Sequence, residues 1–485
     1  MPLAAFAVVV LLPMWAYAQP ETVQVWSSSE DMKQTLTQGP SIPLEPAGKL
    51  AEDAVIKLNP QKTYQSILGM GASFEHTTCF NLFKLGPERM TETIEKLVDP
   101  RKGIGMNLMR ICIGTPDFTG EPWYSYDDMP EGQRDSKLEE FSVEKDRAYV
   151  LPVLKKVLEI NPDLLFFASP WSPPGWMKST GDMIGGHLLP QCYGVYAEYF
   201  VRFIQAYAAE GVPIHAVTVQ NEPGVNTRDY PMSEWYPSCQ WAILEDPDTF
   251  GPVVHEVMGL RERDFIRDHL GPCFKKSGIA AKIWCYDHNL NNLWYPRNIL
   301  KDPEAAQYVD GTAFHAYSGT PQQMGEFYKE FPQKSVYFTE GAAGGTGGAM
   351  KIMSYFRNGS RTYNSWVIMI DYDGLPNNGP FKTKSTCIQP RKDGAGVDYH
   401  FEYYSYGQFM KFVKRDAVRI DSSEGDKLFG NVAFRNPDGE LVLVTVNRQP
   451  QAVRFAVQCE KRWFRAEMGP KSVATYVWRG PHRGN

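Results

Sequence analysis

From about residue 64 onward, short apolar runs alternate with polar turns and amphipathic stretches, and the alternation repeats eight times. The apolar runs are YQSILGMGASFE (64–75), MNLMRICIG (106–114), DLLFFASP (163–170), HAVTVQNE (215–222), AAKIWCYD (280–287), DGTAFHAY (310–317), KSVYFTE (334–340) and RTYNSWVIMID (361–371). Each is short, near-continuously apolar and rich in β-branched or aromatic residues, as strands covered on both faces are. Between them lie stretches with apolar residues at helical spacing, among them GPERMTETIEKLV (86–98). YGVYAEYFVRFIQAYAAEG (193–211) and FGPVVHEVMGLRERDFIRDHLG (250–271) both end at a glycine, a common helix stop. Eight strand–helix units in series predict an α/β fold of the (β/α)8 TIM-barrel type over residues 63–415.

The flanks follow a different period. TVQVWSSS and AVIKLNP, within 19–62, alternate like exposed-face strands. Residues 416–485 do the same, and Asp438-Gly439 between two alternating runs marks a hairpin. A side β-sandwich built from both chain ends is expected. Residues 1–18 form an apolar run closed by Ala16-Tyr17-Ala18, which predicts a signal peptide cut after Ala18 and a secreted or periplasmic protein. No later segment is long and apolar enough to span a bilayer.

Composition narrows the classes. With 43% apolar and 22% charged residues the chain is a folded globular protein, not a disordered one. A net charge of −6 argues against nucleic acid, whose phosphates need a basic face. The 8 cysteines include no CxxC pair, and no HExxH motif occurs, so no metal or cofactor is expected. Cys112 and Cys285 fall inside apolar runs and read as buried thiols. No pattern specifies an oligomeric state. The glycine-rich GAAGGTGGAM (341–350) fits neither the P-loop nor GxGxxG, and reads as a tight turn rather than a phosphate cradle.

In such a barrel the C-terminal strand ends face the active site. Two of these ends present a glutamate directly after an apolar run, Glu222 and Glu340. Two carboxylates across one cleft suit glycosidic cleavage: one donates a proton to the leaving oxygen, and the other attacks or stabilises the anomeric carbon. Asn221, beside Glu222, is placed to bind a sugar 2-hydroxyl.

The stretches NLMRICIGTPDF, ASPWSPPGWMKSTG, VQNEP, RDFIRDHLGP, FHAY, FTEG and FEYYSYGQFMKFV, in this order, resemble glycoside hydrolase family 30, the glucosylceramidase-like retaining β-glycosidases. The resemblance implies Glu222 as acid/base and Glu340 as nucleophile, with a β-linked glycolipid or oligosaccharide as substrate. It implies that His315 and Tyr317 support the carboxylates, that Arg110 lies beneath the nucleophile, and that Trp171 and Trp366 wall the sugar subsite. One departure concerns GMGASFEH (69–76), where family members often read G-F-G-(G/A)-x-x-T-D. There Glu75 and His76 stand in the positions expected to hold distal sugar hydroxyls. WSPPGWMKSTG and RDFIRDHLGP favour an exo-acting, glucosylceramidase-like β-glucosidase. The alternatives are an endo-β-glycanase (β-1,6-glucanase or xylanase), a β-xylosidase or β-fucosidase, and a non-catalytic sugar-binding protein, which the presence of both glutamates disfavours.

Overall fold

The computed structural model describes residues 21–46, 54–241, 252–381 and 386–480; the expected signal peptide lies outside them. Eight parallel strands form the body: β1 Gly69–Ala72, β2 Leu108–Ile113, β3 Leu165–Pro170, β4 Ile214–Thr218, β5 Lys282–Asn289, β6 Val309–His315, β7 Ser335–Glu340 and β8 Thr362–Ser365. Strands β2 to β7 pair in sequence order, and β8 pairs with β1. Parallel bridges Ser73–Arg110 and Val336–Ser360 join the two groups and close the barrel.

The apolar run 64–75 does not form one strand. The sandwich strand Val55–Ser66 takes its first residues, crossing the expected boundary at 62, and Ser66 pairs with Val418. β1 begins only at Gly69. Its glycines allow close approach to β2: a Cβ at Gly71 would run into the Leu108 carbonyl.

Period-two alternation fills the barrel in layers. The lower layer is apolar and buried: Leu108, Phe167, Ala216, Trp284, Ala313 and Tyr337, one residue from each of β2 to β7. The Trp284 and Tyr337 rings stack with centroids 4.0 Å apart, plugging that end. Two residues further along five of these strands stand Arg110, Ser169, Thr218, His315 and Thr339, all buried. On β5 the register shifts between Tyr286 and His288, so the sixth member of this polar layer is Asp287, three residues on from Trp284. A bulge of this kind re-aims side chains. Tyr286 and Asp287 both take positive φ, +75° and +63°.

The sandwich joins both chain ends, as the alternating flanks predict. Thr22–Ser29 pairs with Ser472–Arg479, and Val55–Ser66 pairs with Val418–Ser422 and Val453–Cys459. The Asp438-Gly439 turn links Phe429–Arg435 to Glu440–Asn447, with Gly439 at φ +85°. The amides that open the helix Gly345–Arg357 donate to carboxylates rather than to an anion site: Gly345 N to Glu402 and Thr346 N to Glu30. All 8 cysteines are free thiols, and only Cys273 is not fully buried. No helix among the described residues is long and apolar enough to cross a membrane.

Candidate active site

The polar layer is organised around Asp287. Its Oδ2 lies 2.7 Å from Arg110 Nη2, 2.8 Å from Thr218 Oγ1 and 3.1 Å from Ser169 Oγ. Its Oδ1 accepts from Thr339 Oγ1 at 2.6 Å and pairs with His315 Nε2 at 3.1 Å. Burial alone would raise this carboxyl, but the charges of Arg110 and His315 hold it well below the usual range. Asp287 closes the same apolar-run pattern that marked Glu222 and Glu340, yet the sequence reading gave it no role.

Arg110 is fully buried and divides its donors among four groups: Ser169, Asn221 at 2.9 Å, Asp287 and the Glu340 carboxylate. Its guanidinium lies 4.8 Å from the Trp171 ring centre. Trp171 and Trp366 stack on one another at 5.1 Å, and Phe118 meets Trp366 edge-on.

Above this layer stand the two glutamates. Tyr317 donates its hydroxyl to Glu340 Oε1 at 2.7 Å. His315 Nδ1 is 3.1 Å from Glu222 Oε1 and 3.8 Å from Glu340 Oε1, so one imidazole nitrogen spans the gap between the carboxylates. Burial pushes the His315 ring towards neutrality, but Glu340 and Asp287 outweigh it and hold the ring protonated, with its pKa raised to about 10. Burial raises the Glu222 carboxyl; His288 and His315 beside it win and lower it well below the usual range. Glu222 is in the left-handed region, φ +47°, with its amide donating to the Asp287 carbonyl at 3.0 Å. Such backbone is uncommon for a non-glycine residue and clusters at functional sites.

These groups share a cleft of ≈ 750 Å³. Of the sequence-selected residues, Glu222, Glu340, Asn221, Trp171, Tyr317 and Trp366 line it, while Arg110 and His315 lie just beneath. Glu75 and His76 do not line it. Glu75 is fully buried and caps helix α1, His76–Lys84, accepting from Thr78 N at 2.8 Å. His76 bonds Tyr124 at 3.0 Å and faces Asp146. The early end of β1 and the immediate start of α1 turn both side chains into the body, which overrides the expectation that they hold sugar hydroxyls. The wall instead presents Asp117, whose buried Oδ1 makes no hydrogen bond. Burial raises its carboxyl, and Glu340 and Glu222 add to the rise. Tyr230, Tyr236 and Phe381 also line the cleft, and Tyr236 packs in the same buried cluster as Phe118, Trp171 and Trp366. In the stretch 224–241 that follows Glu222, Gly224, Val225, Tyr230 and Tyr236 line the cleft. Trp241 packs on Phe265, and Trp235 bonds the Tyr230 carbonyl.

Glu75 allows a stability test. Burial pushes its carboxyl up to about 8, and Glu75 Oε2 has no partner. A folded-state value above the unfolded one favours folding at low pH, and that contribution is lost as pH rises from about 4.5 through about 8. Glu75→Gln keeps the capping acceptor and removes the titration. Its urea-unfolding free energy is expected to match wild type at pH 4 and to exceed it by ~2–4 kcal/mol at pH 9. A wild-type curve flat over this range would refute a neutral buried Glu75.

Comparison with known proteins gives the family. The model of the glycosyl hydrolase family 30 TIM-barrel domain matches residues 67–235 and 255–369, and that of the family 30 β-sandwich domain matches 416–476. The chain belongs to glycosyl hydrolase family 30. Among similar proteins is an endo-1,6-β-D-glucanase of Neurospora crassa, 28% identical over 466 residues, which cover 90% of this chain and 91% of that one. The lysosomal acid glucosylceramidase of Mus musculus is 28% identical over 468 residues, 89% of this chain and 85% of that one. A solved endo-β1,6-glucanase, BT3312, shares 28% identity with a TM-score of 0.81, over 94% of this chain and all of that one. Membership of this family makes the chain a β-glycoside hydrolase.

Proposed function

We propose that the protein is a retaining hydrolase of β-glucosides whose leaving group is a primary alcohol, with Glu340 as nucleophile and Glu222 as acid/base. The observation that supports the retaining assignment is the reach of His315 Nδ1 to both carboxylates, at 3.1 and 3.8 Å, which keeps the two oxygens no more than about 6.9 Å apart, near or below the short end of the inverting range. Retaining enzymes hold the pair roughly 5–5.5 Å apart, against ~6.5–9.5 Å where a water must fit between. The choice of leaving group rests on chemistry shared by the relatives. A β-1,6-glucan and a glucosylceramide both link the anomeric carbon to a CH₂–O oxygen.

In the first step Glu340 attacks the anomeric carbon while Glu222 protonates the departing oxygen. Arg110 and Tyr317 hold Glu340 in position through hydrogen bonds to its two oxygens. His315, cationic between Glu222 and Asp287, is the neighbouring store of the proton that Glu222 delivers. In the second step Glu222 takes a proton from water, which attacks the glycosyl-enzyme and returns Glu340. Trp171, Trp366 and Asp117 line the cleft beside the two glutamates, and Tyr230, Tyr236 and Phe381 complete its aromatic lining.

The test is hydrolysis of linear β-1,6-glucan and of glucosylceramide in mixed micelles, with the first-formed sugar anomer read by proton NMR. β-Glucose or a β-configured reducing end is expected first; an α product first overturns retention. Oligosaccharides from the polymer select the endo-1,6-glucanase reading. The second reading, exo-cleavage of a glucolipid, is favoured by the aromatic residues in the cleft lining, and lipid release with an intact polymer selects it. Glu222→Ala is expected to slow turnover of either substrate by roughly 10²–10⁴-fold. The same variant should still form the glycosyl-enzyme rapidly from a dinitrophenyl β-glucoside, which needs no acid. Equal loss on both kinds of substrate would remove Glu222 from the acid role.

A further inference from the structure

Glu222, His288 and His315 come from the ends of β4, β5 and β6 and offer three ligand atoms that all lie within 4.8 Å of one another. Glu222 Oε1 is 3.1 Å from His315 Nδ1 and 3.4 Å from His288 Nδ1. The 3.1 and 3.4 Å separations match adjacent vertices of a tetrahedron around an ion with bonds of ~2.0–2.2 Å to imidazole nitrogen and carboxylate oxygen, and the two histidine nitrogens lie within 4.8 Å of one another. The acid/base role accounts for His315 and Glu222. It does not account for His288, whose buried Nδ1 makes no hydrogen bond although it points to the same oxygen.

Two further features belong to a metal site. His315 pairs its second nitrogen, Nε2, with the Asp287 carboxylate at 3.1 Å, which fixes the ring with Nδ1 towards Glu222. A carboxylate behind a ligating histidine is the usual arrangement in metal centres. Glu222 and His288 also line the cleft, so an ion has a path in and an open coordination position facing solvent. Two imidazoles and one carboxylate suit Zn²⁺ or Cu²⁺ and not Mg²⁺ or Ca²⁺, which need oxygen sets.

We infer that the three residues form an inhibitory site for a borderline divalent cation such as Zn²⁺. The ion takes a lone pair from Glu222 Oε1 and, as the Nδ1 proton passes to solvent, one from His315 Nδ1. Glu222 then has no proton to give the leaving group. Binding itself is independent of the acid/base assignment, and only the inhibition rests on it.

The experiment is calorimetric titration of chelator-treated protein with ZnCl₂, alongside turnover of an aryl β-glucoside. Wild type is expected to bind one equivalent of Zn²⁺ that competes with turnover and is removed by chelator. His288→Phe is expected to bind Zn²⁺ about tenfold or more weakly, the least that loss of a ligand should cost. Glu222→Gln, which keeps its shape, should show the same weakening and guards against a folding defect in the first variant. With Cu²⁺ as the probe, electron paramagnetic resonance of wild type should report two coordinating nitrogens. Undiminished binding in both variants would place the ion elsewhere, on the free thiols for example, and overturn the site. Tight Zn²⁺ binding at these residues with unaltered turnover would keep the site and remove the acid/base role from Glu222.

Discussion

Glu340→Gln is expected to abolish turnover while leaving the fold intact, with kcat lower by on the order of 10⁴–10⁶, the range seen when a covalent nucleophile is removed. Gln preserves the side-chain shape and an oxygen for the Tyr317 hydroxyl, now 2.7 Å from Glu340 Oε1. It cannot form a glycosyl-enzyme that water readily cleaves. Glu340→Gly goes further and opens space for a small anion. With azide and an activated β-glucoside, this variant should yield the α-glucosyl azide, because one displacement inverts. Glu222→Ala under the same conditions should yield the β-azide, because azide then replaces water in the second of two displacements. Opposite anomers from the two variants would assign both roles in one experiment. A Glu340→Gln protein within tenfold of wild type would mean that the nucleophile lies elsewhere.

Much of this site was legible in the sequence because strand alternation is strict. Apolar runs that end in a carboxylate at the top of a barrel strand point to the mouth, and Glu222 and Glu340 line the cleft there. The same alternation carries Arg110, Ser169, Thr218, His315 and Thr339 two residues beyond the apolar layer. Asp287 was legible as the end of its apolar run, but its role at the centre of that layer was not, because a bulge on β5 adds a residue and breaks the period. Nothing in AAKIWCYDHN signals the bulge: its positive-φ positions are Tyr286 and Asp287, not glycine. Glu75 and His76 were misplaced for the converse reason. Motif register put them at a strand end, but β1 stops at Ala72 and the capped helix begins at His76. Gly271, read as a helix stop, is followed by further helix to Lys276. The glycine is there because a Cβ would collide with the Tyr308 ring, a tertiary contact that no local pattern records.

The second large effect is expected at Arg110, and it concerns stability as much as rate. A fully buried guanidinium costs much desolvation energy, which its partners on all sides offset: two carboxylates, an amide, a hydroxyl and a tryptophan face. Arg110→Met removes the cation and leaves Asp287 and Glu340 as neighbouring buried anions with only His315 between them. Breaking a buried pair in this way costs ~3–5 kcal/mol, so the urea midpoint should fall accordingly. Arg110→Lys keeps the charge but cannot fork to Asn221, Asp287 and Glu340 together, so it should recover part of the stability and little of the activity. The pH dependence gives the sign. The lowered folded-state value of Asp287 means that its stabilising contribution is present above the unfolded value and is lost as pH falls through the folded one. The deficit of Arg110→Met should therefore be largest near neutral pH and shrink in acid, where Asp287 binds its proton without the arginine. Adding Asp287→Asn to Arg110→Met should then restore part of the stability at pH 7, because it removes one of the two orphaned charges, the other being Glu340. A double variant no more stable than Arg110→Met alone would mean that lost packing against Trp171, rather than the buried charge, sets the cost.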